Sequence, residues 1–457
     1  MKKILLFSFV ALAACTCATA SNNSTFAVGD TESGYTIKKD ASTYAAQGNY
    51  TLTNKWFRAV EGDFANMPFE NNGLFHRGFI VIGDVVYMAG RTANAATADS
   101  YLREFDANTG EKIKDLALDT TARCEKFPCN NVFTDNANNV LISNLTLDLS
   151  TVPLKIFQVN LETGALTLRA ELTATTTSTK RVDYCSVYGD VTSGNFKVFA
   201  TVSKGNEIVR WTFANGALAS TDICTAQAFY PEAATAFGIA SWNSPVNDSI
   251  LYVKGSYTYL TRYNFATGAI DDSFGNNTKL CSIGLDANGA SFFTFNKANF
   301  MIYPYGAATS PNGIQYNLTV NPNGTDYAGY SNLWTFPENG LGTVDDQTWC
   351  AQSAYTIGND TVAHIFIYAP GNGLAAYDLI AKPTGVNTIS TNSVKVTVNA
   401  GVINLSANVD KATLYDVAGR VVASVANVNS INVAQQHGAY VLRYVVNGKA
   451  SVKKVIL

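Results

Sequence analysis

Three histidines, His76, His364 and His437, are all the imidazole this chain can bring to catalysis. A Ser-His-Asp or Cys-His arrangement needs a reachable histidine and a nucleophile on a strained turn, and no G-x-S-x-G occurs. His364 lies in the alternating strand VAHIFIY and His437 near the C-terminus, so only His76, beside Arg77 in LFHRGF, is placed to face a ligand. Carboxylate pairs for glycoside cleavage would come from Asp135, Asp190, Asp286 or Asp345, all of which read as loop residues, where Asp ordinarily serves the turn itself. No D-x-D-x-D-G series for calcium, no G-x-x-x-x-G-K and no strand-Gly-helix fingerprint is present, so no cofactor is expected. Trp56, Trp211, Trp242, Trp334 and Trp349 would suit stacking on sugars, although aromatic residues on strands mostly pack against neighbouring strands.

Eight cysteines divide by position. Cys15 and Cys17 belong to the N-terminal stretch MKKILLFSFVALAACTCATA, where Lys2 and Lys3, the apolar Ile4 to Ala14 and the small residues Ala18 to Ala20 have the form of a cleaved secretory signal over residues 1–20. LAAC at Leu12 to Cys15 is the rival reading, a lipobox that would leave Cys15 lipidated. The other six, Cys124, Cys129, Cys185, Cys224, Cys281 and Cys350, are an even set in an exported chain and so suggest disulfides. CEKFPC has four residues between its cysteines and no downstream partner pair, which disfavours zinc.

The elements that position these residues follow a repeat. Apolar strand, turn ending in Gly, and second strand recur around Gly110, Gly164, Gly216 and Gly268, at spacings of 54, 52 and 52 residues, with a looser copy 56 further on at Gly324. Each copy follows a hairpin such as GFIVIGDVVYMAG or SVYGDVTSGNFKVFA. Four strands per period of about 50 residues is the size of a propeller blade. The sixth copy lacks a fourth strand, which NYTLTNKWF (Asn49 to Phe57) can supply, closing the ring and removing its exposed edges. The expectation is an all-β fold: a six-bladed, alternatively seven-bladed, β-propeller over residues 49–380 after a lead-in of 21–48. In that register His76, Arg77 and Trp349, with Cys129, Cys185, Cys281 and Cys350, would gather at one mouth of the central channel, a common ligand site.

Past a Pro, Gly, Ser and Thr linker at 381–393, short alternating strands fill 394–457, with Tyr440, Leu442 and Tyr444 on one face and Asn447-Gly448 as a tight hairpin turn. Such a segment suits a small Ig-like antiparallel β-sandwich. Its charge is distinct: eight basic against two acidic residues from Ala381 onward, a net of +6, whereas the body without the two leading lysines has 22 against 33, a net of −11. An acidic body argues against nucleic acid and anionic lipid as partners.

Tyr415-Asp416, Gly419-Arg420, Gly438 and Tyr440, Gly448-Lys449 and Lys453-Lys454 occur in an order that resembles the type A C-terminal sorting domain of the type IX (Por) secretion system of Bacteroidetes. Ala439, where that family has Val, is a mild departure. More loosely, the body resembles β-propeller cargo of the same phylum. The resemblance implies that the C-terminal segment is read by the outer-membrane export machinery and that the protein is secreted or held at the cell surface, having crossed the periplasm. No later segment has 18 uninterrupted apolar residues, so no transmembrane span is expected in the mature chain. The function expected is non-catalytic binding of a glycan or an extracellular protein, with a secreted carbohydrate- or peptide-active hydrolase or lyase, or a surface-layer component, as alternatives.

Overall fold

The structure is a computed structural model that describes residues 43–59, 76–93, 95–122, 127–177, 180–228, 236–238, 241–255, 257–274, 280, 289–305, 314–341, 352–359, 362–369, 373–381, 394–434, 436–446 and 448–457. The leader with Cys15 and most of the lead-in, the linker beyond Ala381, and Cys124, Cys281, Cys350, Trp349, Asp286 and Asp345 lie outside the described residues.

Strand β1 spans Tyr50–Ala59. The first sheet is the meander β2 (His76–Ile82), β3 (Val85–Arg91), β4 (Ser100–Asp106) and β5 (Lys112–Ala117). The second is β6 (Asn131–Thr134), β7 (Val140–Ser143), β8 (Leu154–Val159) and β9 (Leu166–Leu172). The third is β10 (Cys185–Asp190), β11 (Asn195–Thr201), β12 (Glu207–Ala214) and β13 (Ala217–Thr225). The fourth is β14 (Trp242–Pro245), β15 (Ile250–Gly255), β16 (Thr258–Asn264) and β17 (Ile270–Ser273). The fifth is β18 (Ser291–Phe295), β19 (Ala298–Pro304), β20 (Tyr316–Asn321) and β21 (Ser331–Phe336). The sixth is β22 (Gln352–Asn359), β23 (Val362–Ala369) and β24 (Gly373–Ala381), and β1 completes it as the fourth strand. All six sheets are antiparallel, an arrangement of the β-propeller kind.

Burial explains why the strands differ in composition. β23 (VAHIFIYA) and β19 (ANFMIYP) lie inside their sheets with both faces covered and read as nearly continuous apolar runs, while the outermost β5 (KIKDLA) is exposed along most of its length. Each sheet shares an apolar cluster with both neighbours. Leu102 and Leu116 meet Val132 and Phe157, Leu154 and Ile156 meet Val198 and Trp211, and Phe199 and Ile208 meet Leu251 and Tyr263. Tyr252 and Leu260 meet Met301 and Tyr303, Leu318 and Phe336 meet Ile365 and Leu379, and Phe366 and Tyr368 meet Phe79 and Met88.

β1 serves two of these clusters because it carries a bulge. Its register with β24 runs from Tyr50↔Ala381 to Ala59↔Gly373 and shifts between Asn54 and Trp56. Without the extra residue Leu52 and Phe57 would face opposite ways, whereas here both enter the cluster shared with the fifth sheet and Trp56 enters the one shared with the first. Asn54 stabilises the irregularity by donating to the carbonyls of Trp56 and Ala376 at 3.2 and 3.3 Å.

Three of the repeated turns share one construction. The side chains of Asp106, Asn160 and Asn264 accept from the backbone N–H two residues on, a Thr hydroxyl caps the residue after Gly, and the Gly N–H closes back on the first carbonyl. Gly110, Gly164 and Gly268 adopt φ of 71°, 74° and 72°. Each presses on the outermost strand of the preceding sheet: a Cβ would meet the Trp56 ring at 2.5 Å, the Ala117 carbonyl oxygen at 1.9 Å and the Thr225 carbonyl oxygen at 2.1 Å. The other two copies differ. Asn215-Gly216 forms a two-residue hairpin turn with open space beside Gly216, and Gly324 lacks a positive φ.

Residues 382–457 form a separate compact unit. It is a single hydrogen-bonded antiparallel sheet of β25 (Val396–Asn399), β26 (Val402–Tyr415), β27 (Val421–Asn432), β28 (Ala439–Val446) and β29 (Lys449–Ile456). The long β26 breaks register with β27 between Asn404 and Val409, pairing its first half with β25 and its second with β28. Tyr440, Leu442 and Tyr444 enter the core with Ile403 and Leu414, while Val441 and Arg443 are exposed, as their alternation requires.

Gly164→Ala and Gly216→Ala separate conformation from contact. Both incur the left-handed penalty of about 1–2 kcal/mol, but only Gly164→Ala must also displace the Ala117 carbonyl. Urea denaturation is expected to show a clearly larger loss for Gly164→Ala; equal losses would remove the docking role of the turn.

Candidate functional site

The first strands of four successive sheets, β2, β6, β10 and β14, line one cavity of about 440 Å3, with Ala290 at the fifth sheet. A second cavity of about 430 Å3 shares Ser244, Pro245 and Ala290 with it and opens between the fourth and fifth sheets. The first cavity is bounded by apolar residues of the four strands, Phe79, Val81, Phe133 and Val187 among them, and by neutral polar ones: Ser186, Asn131, Thr134 and Asn243. Asn243 is held in place by the Ser186 hydroxyl, which donates to its Oδ1, and by its own Nδ2, which lies 3.5 Å from Thr201 Oγ1; Thr201 in turn donates to the Ser241 carbonyl at 2.9 Å.

Asp135 is the one acidic residue in this lining, and its oxygens are occupied. Oδ1 accepts from the N–H groups of Ala137 and Asn139 at 2.9 Å, and Oδ2 accepts from Asn139 Nδ2 at 2.8 Å and from the Val191 N–H at 3.0 Å. Asp190 accepts from the Thr192 hydroxyl and N–H at 2.6 and 2.8 Å, bonds that hold its carboxyl below the usual range, and from the same Asn139 Nδ2 at 3.1 Å. The two described acids of the four, Asp135 and Asp190, therefore fasten the β6–β7 turn to the β10–β11 turn.

His76 and Arg77 are not at a channel mouth; both are 2% exposed. β2 pairs His76 with Gly90 and then Phe79 with Met88, leaving Arg77 and Gly78 as a bulge, with Gly78 at φ 65°. That bulge lets Arg77 reach sideways to Asn130 Oδ1 of the second sheet at 3.0 Å, an oxygen that Arg91 also approaches at 3.3 Å. Asn130 Nδ2 donates to the Asp183 carbonyl at 2.9 Å, continuing the seam into the third sheet. Burial alone would raise the Asp183 pKa, but the Arg181 guanidinium, the Ser203 hydroxyl and Arg77 together hold it below the carboxylate range. His76 Nε2 pairs with the Tyr101 hydroxyl at 2.7 Å, in space that only a glycine at position 90 leaves open. Burial first, then Arg103 and Arg91, push its pKa down to about 3.

Of the six cysteines expected in disulfides, no bond joins any two of the three described ones, Cys129, Cys185 and Cys224. Cys129, Cys185 and Cys224 pack in three different inter-sheet clusters, as small apolar fillers. Cys185 touches the first cavity, yet burial pushes its thiol up to about 12, so it is inert as a nucleophile near neutral pH. His364 Nδ1 is engaged by Asp378 Oδ1 at 2.6 Å across β23 and β24. Among the described residues no group of three or more His, Cys, Asp or Glu is placed to hold a metal ion.

The tryptophans separate into two kinds. Trp56, Trp211 and Trp334 are buried, and each indole N–H donates to a backbone carbonyl outside its own sheet, those of Ala107 after β4, Thr173 after β9 and Ala45 ahead of β1, at 3.0, 3.0 and 2.9 Å. Trp242 is half-buried on β14 and lines the first cavity. Its ring lies 25° from that of Phe292, with centroids 6.5 Å apart, and Phe292 stacks on Tyr252 at 3.9 Å and 19°. The five tryptophans are alike in the sequence, and Phe292 and Tyr252 carry no motif there; starting a first strand is the only signal that sets Trp242 apart.

In the C-terminal unit the shared positions of the sorting-domain pattern form turns and a strand edge. Asp416 accepts from the N–H groups of Ala418 and Arg420 at 2.9 Å and from Arg420 Nε at 2.7 Å, directly after Tyr415 ends β26, with Gly419 at φ 78°. Gly438 exchanges two backbone bonds of 3.0 Å with Leu457, and Tyr440 donates to the His437 carbonyl at 3.2 Å. Gly448 turns β28 into β29, the strand that carries Lys449, Lys453 and Lys454. No helix among the described residues is long and apolar enough to cross a membrane.

His76 supplies a pH test. The unfolded chain takes up its proton near pH 6.5 and the folded protein only near 3, so the stability conferred by neutral His76 is complete above 6.5 and declines as pH falls toward 3. Denaturation between pH 7 and 5 is expected to show a loss of about 2 kcal/mol that His76→Gln largely abolishes; an unchanged slope in that variant would place the titration elsewhere.

No protein-family model matches the chain, and no curated protein matches it either. Its fold is similar to solved structures. A DUF4623 family protein from Bacteroides eggerthii DSM 20697 superposes with a TM-score of 0.54 at 16% identity, over 75% of this chain and 78% of that one. Weaker likenesses are the WD40 β-propeller domain of Doa1, with a TM-score of 0.39 at 10% identity over 75% of this chain and 94% of that one, and the α-L-arabinofuranosidase arb93a from Fusarium graminearum, with 0.42 at 9% over 72% and 98%. At these identities the first likeness speaks for the fold alone.

Proposed function

We propose that this is an exported six-bladed β-propeller that binds a neutral polyhydroxyl ligand, a glycan, at its central channel without catalysing its cleavage. The observation that carries the reading is the channel lining: apolar residues interleaved with neutral amide and hydroxyl groups, of which Ser186 and Asn243 are fixed by their mutual hydrogen bond, no basic side chain among the described lining residues, and one carboxylate already saturated by four donors. Such groups offer paired donors and acceptors to hydroxyls and nothing to balance a charged ligand. Saturation of Asp135, with the binding of Asp190 to the same amide, weighs against a general acid/base pair there.

The C-terminal unit, folded over as a small Ig-like sandwich, serves in this proposal as the export address read by the type IX machinery. Support comes from the turn of Asp416, Gly419 and Arg420, the Gly438 closure, the Lys453-Lys454 strand at the sheet edge and the secretory leader. The product is secreted or held at the cell surface.

Two measurements test the two halves. Lys453→Glu with Lys454→Glu alters exposed side chains on an edge strand, so the sheet should still fold while the protein is retained in the periplasm; normal surface delivery would refute the address. For the channel, Ser244→Tyr fills the place where both cavities meet. Binding of neutral oligosaccharides on a printed array is expected in the parent protein and lost in the variant, with the thermal midpoint little changed.

A further inference from the structure

We propose that the cavity between the fourth and fifth sheets is a stacking subsite for one uncharged pyranose ring, with the aromatic ladder of Tyr252 and Phe292, continued by Trp242, as its platform. The inference rests on the channel reading above and assigns it a ligand class and a contact.

The cavity walls meet two demands at once. Phe292, Pro245, Val246 and Ala290 are apolar, whereas Ser244 and Ser291 are polar, and no charged side chain is in the described lining. A pyranose has the same duality, a flat C–H face and a rim of hydroxyls. At about 430 Å3 the space falls within the range of small-ligand pockets.

The platform is held from behind. Tyr252 is 8% exposed, bonded through its hydroxyl to Arg262, and edge-on to Tyr327 at 6.3 Å. Arg262 is itself fixed by Asp271, by Asp272 at 3.8 Å and by Asp326 at 3.6 Å. Phe292 lies flat on Tyr252 and is only half-buried, so its orientation is set before any ligand arrives. Trp242, 25° from Phe292 with centroids 6.5 Å apart, belongs to the channel lining, so neighbouring aromatic rings line both the channel and the side cavity. The other described tryptophans, each tied to a backbone carbonyl outside its own sheet, show how rings that merely wedge elements together behave in this fold.

The test titrates the full-length mature protein with the neutral oligosaccharide bound best on the array, following binding by calorimetry and by tryptophan emission, with sorbitol and a sialylated oligosaccharide as controls. Phe292→Ala is expected to weaken binding about tenfold, as the loss of one good aromatic contact implies, and Phe292→Trp to restore it. Sorbitol, a polyol without a flat ring face, and the charged sugar should bind far more weakly. The emission change should be saturable and vanish in Trp242→Phe, a readout that does not depend on the stability of the Phe292 variants. Undiminished binding by Phe292→Ala, or sorbitol binding as tightly as the saccharide, would overturn the subsite and leave the channel reading standing. Failure of every neutral saccharide to bind the parent protein overturns both.

Discussion

The pairing of β1 with β24 is the constraint on which the large unit depends. It joins residues 50–59 to residues 373–381 in one ladder and so leaves the sixth sheet complete only when both ends of the unit are in place. Nonlocal pairing of this kind has an entropic cost of closing more than 300 residues of chain that grows only slowly with length. Against it stand the apolar groups that β1 buries on two fronts, Leu52 and Phe57 toward the fifth sheet and Trp56 toward the first. The bulge at Asn54 makes this double service possible, so a single irregularity in one strand decides whether the fifth, sixth and first sheets share a continuous core. Once the sheets are held side by side, their first strands have to converge, and the convergence of β2, β6, β10 and β14 forms the cavity.

Charge is kept away from that cavity by being used elsewhere. Arg77, Arg91, Asp183 and Arg181 form a buried seam between the first three sheets with Asn130 at its centre, and Asp135 is taken up by a turn. A buried ion network of this kind adds little net stability over apolar packing but is strongly penalised when one member is removed. Its effect here is to fix which sheet sits against which, while the described cavity lining holds neutral groups and the one engaged carboxylate of Asp135. Rigid charge in the walls and uncharged polarity in the lumen are two consequences of one allocation.

What was legible in the sequence was whatever is written locally. The period of turn glycines marked the sheets, and an isolated strand ahead of the first repeat marked the closure. The alternation of Tyr440, Leu442 and Tyr444 marked the buried face of β28, and the Asn-Gly pair before Lys449 marked its hairpin. What was not legible depends on one-residue offsets. His76 and Arg77 were placed at a channel mouth because they begin a first strand, yet the two-residue bulge at Arg77 and Gly78 turns the arginine into the neighbouring sheet, and the missing side chain at Gly90 draws the histidine inward. The even cysteine count of a chain expected to be exported suggested bonds, but the three described ones lie in separate apolar clusters, where a thiol is simply a small buried group.

The tryptophans show why composition alone does not find a binding surface. A buried indole must find an acceptor for its N–H, and in Trp56, Trp211 and Trp334 the acceptor is a backbone carbonyl outside the ring's own sheet, which locks the ring to the neighbouring segment. Trp242 begins a first strand and lines the first cavity, and its ring is left half-covered beside Phe292. Phe292 has the same position in the next sheet, one residue into β18, and it lies on Tyr252 of the preceding one. The aromatic surface therefore arises from the meeting of two first strands with the second strand of the fourth sheet, a relation fixed by closure of the whole unit and absent from any window of sequence short enough to read as a motif.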